Sequence, residues 1–131
     1  MMINTTAHYG LIAAAYLAQN AEAGAVMSSK IAEEYDIPLA YLLKIMKDMV
    51  KVNILRSKRG PRGGFTLARP AKEITLLEII EVAGGPIASQ LEFAELTGNA
   101  EFSIEMENVC KKASEKAASI LSRAKLSKMV G

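Results

Sequence analysis

Residues 41–65 read "YLLKIMKDMVKVNILRSKRGPRGGF", and the organisation of the chain turns on how this stretch is parsed. In its first half, Leu42, Ile45, Met46 and Met49 recur at helical spacing and make a buried stripe. The opposite face presents Ala40, Leu43, Lys44, Lys47, Asp48 and Lys51. The spacing predicts a helix over 39–52, with Pro38 suited to the first turn and Asn53 to a left-handed stop. In the second half, "ILRSK" and "GFTLA" are strand-like runs joined by "RGPRG", which predicts a hairpin with a glycine-bearing loop. Within 56–65 alone there are four basic side chains and three glycines, closed by Phe65, which is expected to anchor the hairpin to the body.

Charge is concentrated in the same place. Residues 44–72 carry nine Lys and Arg against one acid, Asp48. Residues 1–43 carry one Lys against four acids, 73–86 carry three acids, and 87–131 balance six against six. A single basic block in a chain of net charge +2 points to a polyanion-binding face rather than to general solubility. With 131 residues, half of them apolar and 23% charged, the chain is long enough for one core with an appended element.

Working outward toward the N-terminus, "IAEEYDIP" ends a short helix for which Ser28 or Ser29 is the expected cap, with Ile31 and Ala32 facing inward. "NAEAGA" is a loop. Before it, Tyr9, Ile12, Tyr16 and their alanine neighbours predict a first helix to about Gln19, capped by Thr5 or Thr6. Its apolar run, "LIAAAYLA", is too short to span a bilayer and lacks a preceding positive charge, so a buried helix in a cytoplasmic protein is expected.

Toward the C-terminus, Pro70 closes the hairpin, Thr75 is the expected cap of a fourth helix, "LLEIIEVA", and "GGP" at 84–86 ends it. Residues 87–102 are acidic and mixed. From Ser103 to Lys125 runs one long helical pattern with Met106, Val109, Cys110, Ala113, Ala117, Ile120, Leu121 and Ala124 on one side. These shifts divide the chain into 1–86, a variable acidic segment over 87–102, and a helix with its tail over 103–131.

Two short helices and a tight turn followed by a basic hairpin predict a mainly α winged helix-turn-helix. In that arrangement the second helix of the pair enters the major groove and the first braces it. The wing over 58–64 can bend at its glycines and carry Arg59 and Arg62 to an electronegative minor groove. The expected DNA-contacting set is Ser28, Ser29, Ala40, Tyr41, Leu43, Lys44, Lys47, Lys51, Lys58, Arg59, Gly60, Arg62 and Gly63. The competing reading, a solvated lysine face beside a polar turn, leaves the coincidence of all three features unexplained.

The run "YLLKIMKDMVKVNILRSKRGPRGGFTLARPAKEITLLEIIEVAGGP" resembles the Rrf-type winged helix-turn-helix transcriptional regulators. Those include the iron–sulfur cluster regulator, nitric-oxide-sensing repressors and the cysteine metabolism repressor. "RSKRGPRGGFTLARP" followed by "EIT" is the most specific piece. "TTAHYGLIAAAYLA", "IAEEYDIPLAYL" and the terminal "LSKMV" extend the similarity. The resemblance implies a homodimer on a pseudo-palindromic operator of double-stranded DNA, with the long helix forming the dimer interface. The expected role is that of a repressor occluding a promoter.

The sequence departs from that family in one chemical respect. Members that carry a cluster hold it with three closely spaced cysteines between the fourth helix and the long one. Here 87–109 contains none, and Cys110 is the only cysteine. By register from "LSKMV", Glu105 and Asn108 fall nearest the last cysteine and the histidine that can follow it. A three-cysteine cluster is excluded, and no cofactor or metal is expected, because clusters are held mainly by thiolates. His8, where some relatives place a non-cysteine ligand, and Cys110 are retained as candidate sensor residues for a redox or small-molecule effector. Leu43 replaces a polar side chain common in relatives and can touch thymine methyls only. No nucleophile–base pair surrounds the single His, and "GPRGG" lacks the Lys-Ser/Thr of a phosphate loop, so no enzyme is expected. The alternatives are a sensor using Cys110 or the 87–102 segment, and a winged-helix protein-interaction module without DNA binding.

Overall fold

The computed structural model describes residues 3–87 and 93–131. In chain order these form α1 (Thr5–Gln19), α2 (Ser28–Tyr35), α3 (Leu39–Lys51), β1 (Leu55–Lys58), β2 (Gly64–Leu67), α4 (Leu76–Gly84) and α5 (Glu101–Arg123). Short 3-10 turns lie at Ala21–Ala23, Ala71–Glu73, Ala94–Thr97 and Leu126–Lys128. None of the described helices is long and apolar enough to cross a membrane.

Two helix starts differ from expectation. Asn4, not Thr5 or Thr6, caps α1: its Oδ1 accepts from the Ala7 N–H at 3.0 Å while its Nδ2 donates to Gly84 O at 2.9 Å. Asn4 therefore satisfies one helix start and one helix end at once. Ser28 and Ser29 lie inside α2, and Met27 occupies the cap position without a side-chain bond. The cause is tertiary: Val26 pairs with Phe65, so the chain is already extended there and enters the helix one residue early.

Elsewhere local chemistry prevails. Asn53 takes φ 61°, with Asn53 N–H bonded to Val50 O and Ile54 N–H to Met49 O, so the left-handed stop of α3 also satisfies two of its last carbonyls. Thr75 caps α4 in a reciprocal box with Glu78.

α1 and α4 meet closely because glycine stands on each. A Cβ on Gly10 would lie 2.8 Å from Ala83 Cβ, and one on Gly84 would lie 2.8 Å from Ala7 Cβ. The main core gathers Ile31 of α2, Leu42, Ile45, Met46 and Met49 of α3, Leu55 and Phe65 of the hairpin, Ile79 of α4 and Leu126 beyond α5. Leu126 reaches it because the chain after α5 returns beside the entry to α4: Leu76 N–H donates to Ala124 O at 2.9 Å and Leu126 N–H to Ile74 O at 2.8 Å. A second cluster, Ala7, Ile80 and Ile87, is where Ala117, Ala118 and Leu121 of α5 dock.

The apolar stripe expected along α5 is therefore split. Ala117 and Leu121 pack on their own domain, and Cys110 is half-buried. Met106, Val109 and Ile120 stand exposed, joined by Phe102. Helix α5 also begins and ends two residues earlier than the periodicity suggested. Part of the acidic segment folds onto it, since the Glu107 carboxylate accepts from the Ala94 N–H at 3.0 Å and lies 3.5 Å from Lys111 Nζ. Residues 88–92 of that segment lie outside the described residues.

Candidate nucleic-acid interface

The hairpin pairs antiparallel in the register Leu55↔Leu67, Arg56↔Thr66, Ser57↔Phe65 and Lys58↔Gly64. On its other side β2 exchanges two backbone hydrogen bonds with Val26, at 2.8 and 3.0 Å. The glycine at 64 is required there. Its φ is 139°, and a Cβ would sit 2.4 Å from Val26 O. At the tip, Gly63 N–H donates to Gly60 O at 2.9 Å across Pro61 and Arg62, and Gly60 takes φ 106°. Arg59, Gly60 and Arg62 are all exposed on this tip. Phe65 is buried, so the projecting loop is built on a fixed base.

Pairing with Val26 brings the start of α2 beside the wing. Between them lies a cleft of about 630 Å³ whose walls include Ser29 and Lys30 from α2 and Lys58, Arg62 and Gly63 from the wing, with Glu33 as the one acid. The structure thus unites four of the expected residues and adds Lys30, which the sequence reading passed over. Lys30 sits within the first turn of α2 beside the two serines, and only the Val26–Phe65 pairing, which no local pattern encodes, sets it against the wing.

On α3, Ala40, Tyr41, Lys44, Lys47 and Lys51 are exposed, Tyr41 to 63%. Leu43 is half-buried against the core, so it presents less surface than its place on the helix suggested. The lysines are not equivalent. Lys44 Nζ is 3.0 Å from Asp48 Oδ2 and Lys51 Nζ is 3.6 Å from Asp48 Oδ1. The Lys44 hydrogen bond foremost, then the charges of both lysines, hold the Asp48 carboxyl below its ordinary value despite partial burial. Among the described residues Lys47 has no acidic partner.

His8 is exposed on α1 and Cys110 half-buried on α5, where it lines an apolar recess with Phe102, Met106 and Val109. Among the described residues no group of three or more His, Cys, Asp or Glu side chains converges as a metal site. One thiolate in the whole chain cannot supply the donors of an iron–sulfur cluster, so the donor set does not fit that group.

A helix pair whose second member bears exposed lysines, followed by a basic hairpin bonded back to the first, defines a winged helix-turn-helix. The sequence profile of the Rrf2 family, described as iron-dependent transcriptional regulators, matches residues 3–131, and the chain belongs to that family. It is 42% identical over 84 residues to a protein of Aquifex aeolicus named as an HTH-type transcriptional regulator, covering 64% of this chain and 58% of that one. The matched region spans little more than half the length of such relatives. The fold is similar to that of T. potens IscR, with TM-score 0.76 and 27% identity over 99% of this chain and 86% of that one. It is similar also to CymR, titled the global cysteine regulator of B. subtilis, with TM-score 0.78, 23% identity and coverage of 99% and 96%. The family is one of helix-turn-helix transcriptional regulators, and the relatives matched are named as regulators rather than enzymes.

Proposed function

We propose that the chain acts in the cytoplasm as a homodimeric repressor on a pseudo-palindromic operator, with α3 in the major groove and the 58–64 wing in the minor groove. The observation that carries this reading is the cleft in which Ser29 and Lys30 of α2 face Lys58 and Arg62 of the wing. Helix starts and converging cations are both suited to phosphate oxygens, so a DNA strand running through the cleft delivers α3 and the tip to adjoining grooves. Arg59 and Arg62 respond to minor-groove width, and Lys47 neutralises a phosphate.

Dimerisation follows from α5. Phe102, Met106, Val109 and Ile120 are 60, 50, 66 and 63% exposed and share one face of the helix, a stripe suited to pairing with another helix. A second copy of α5 covers it. The regulator works without an iron–sulfur cluster, its single cysteine being inadequate to hold one.

The test starts from a duplex that the wild-type protein enriches from a randomised library, titrated beside a scrambled duplex at several salt concentrations. Arg59→Ala is expected to lose about 1–3 kcal/mol on the enriched duplex and little on the scrambled one. Lys47→Ala is expected to weaken both alike and flatten the salt slope by about 0.9. Equal losses on both duplexes for Arg59→Ala would reduce the wing to an electrostatic clamp.

A further inference from the structure

One arginine outside the expected contact set joins more segments of the domain than any residue within it. Arg69 follows β2 at the exit of the wing, and its side chain is 26% exposed. Its Nε–H donates to Asn53 O at 2.9 Å, Nη1 to Glu73 O at 2.9 Å and Nη2 to Glu78 Oε1 at 2.6 Å. Each acceptor belongs to a different element. Asn53 is the left-handed residue that ends α3, Glu73 closes the turn after Pro70, and Glu78 lies in the first turn of α4. The second Glu78 oxygen takes the Thr75 N–H at 2.9 Å, and Thr75 Oγ1 takes the Glu78 N–H at 3.2 Å. Beside the guanidinium, Ala68 N–H donates to Ile54 O at 2.9 Å.

We infer that Arg69 is a positioning residue for DNA recognition, fixing the angle between the wing and α3 from the root of the hairpin. The inference rests on the reading of α3 and the wing as the DNA-contacting pair. A two-stranded hairpin is marginal by itself and takes its direction from what holds it. Besides the burial of Leu55 and Phe65 in the core, two hydrogen-bonded devices hold this one. The Val26–Phe65 pair ties β2 to α2, and Arg69 ties the hairpin's root to the end of α3 and the start of α4. Strands of four residues are about 13 Å long, so a swing of roughly 10° at the root moves the tip by about 2 Å. That displacement takes an arginine out of hydrogen-bond range of a base edge while leaving it near the phosphates. The planar guanidinium supplies three donors in fixed directions to three segments, which a lysine ammonium on a flexible stem does not reproduce.

The experiment compares Arg69→Ala, Arg69→Lys and Glu78→Gln with wild type on the enriched and scrambled duplexes across a salt series, with the active fraction fixed by stoichiometric titration. Arg59→Ala and Lys47→Ala run alongside. Expected for Arg69→Ala is about a tenfold loss on the enriched duplex, unchanged affinity for the scrambled one and an unchanged salt slope, since Arg69 touches no phosphate. Arg69→Lys fails to restore discrimination. Glu78→Gln, which keeps an amide oxygen for the Thr75 N–H but removes the ionic partner, shows a smaller loss in the same direction, and it carries the test should Arg69→Ala not fold. The inference is overturned if Arg69→Ala binds like wild type, loses both duplexes equally, or flattens the salt slope as a phosphate contact does. It is likewise overturned if Arg69→Lys discriminates fully or Glu78→Gln leaves discrimination intact. If instead Arg59→Ala and Lys47→Ala bind like wild type, the reading of the interface fails, and the inference with it.

Discussion

Replacing Asp48 with asparagine tests whether the α3 face is a phosphate-binding surface under restraint. Asp48 lies among the three lysines of that face and engages two of them, at 3.0 and 3.6 Å. Both pairs are of the i,i+3/i,i+4 kind, and both lysine side chains are 77% exposed. Exposed helical pairs contribute about 0.3–0.5 kcal/mol each, so losing both in Asp48→Asn costs at most about 1 kcal/mol of stability and leaves the fold intact. Its effect on DNA is larger. With the carboxylate gone, Lys44 and Lys51 join Lys47 as unpaired cations, and each added phosphate contact steepens the log–log salt dependence by about 0.9. The expected change is a slope steeper by as much as about 1.8, tighter binding at low salt, and a smaller ratio between enriched and scrambled duplexes, because phosphate contacts carry no sequence information.

Fluorescence anisotropy over a salt series reads all three quantities. An unchanged slope would mean that Lys44 and Lys51 do not reach phosphates. A loss confined to the enriched duplex would mean that Asp48 itself accepts from a base, as a carboxylate can from cytosine N4, and the restraint argument would be wrong. Acid should not mimic the substitution near neutrality. The Asp48 carboxyl sits below its ordinary 3.8, so its ion pairs persist above that value and are lost only as pH falls through the lowered one.

Ile120→Glu places a charge in the exposed α5 stripe; sedimentation should show monomers, and operator affinity should fall on the order of a hundredfold as two half-sites cease to be engaged together. A wild-type chain that sediments as a monomer would defeat this. Cys110→Ser should bind DNA as wild type does under reducing conditions, and iron analysis of anaerobically purified wild type should find no stoichiometric metal. Burial pushes the Glu78 carboxyl up, but the Thr75 N–H and Arg69 outweigh it and hold the group below its ordinary 4.5. Its contribution to stability is therefore present above that value and lost as acid titrates through the lowered one, and the acid limb of a stability–pH profile should be shallower for Glu78→Gln.

The parts of the fold legible in the sequence are those where local chemistry and burial agree. The α3 stripe, the Asn53 stop, the Thr75 cap and the glycine-bearing wing each follow from a few adjacent residues, and Leu42, Ile45, Met46 and Met49 are all buried as their spacing implied. The misjudged helix starts are those where a distant partner intervenes. Asn4 caps α1 while also binding Gly84, and Met27 precedes α2 because Val26 is pinned by Phe65. Such partners lie 80 and 39 positions away along the chain, beyond the reach of any capping rule. In the candidate interface the cations were legible one by one. That Lys30 and Arg62 share a cleft, and that Asp48 restrains two lysines, depends on placement in space, although the Lys44–Asp48 spacing already allowed the pair.

Helix α5 makes the same distinction physically. Periodicity alone assigns its apolar residues to one seam, yet Ala117 and Leu121 belong to the domain and Phe102, Met106, Val109 and Ile120 do not. The division follows from what comes after the helix. Leu126 is drawn into the core, and the backbone at 124–126 pairs with the backbone at 74–76, so the last turns of α5 lie against α4, while the first turns pack on the 94–99 segment and leave Phe102, Met106 and Val109 exposed. In the proposed dimer, the end of α5 is thereby bonded to the segment that leads into Glu78, and Glu78 holds Arg69. A subunit packed through α5 thus has its wing referred to the dimer axis through a short run of hydrogen bonds, from Ala124 O and Leu126 N–H through Thr75 and Glu78 to the root of the hairpin. A mobile wing on a rigid dimer would read two half-sites independently, whereas one fixed in this way makes their spacing a property of the protein.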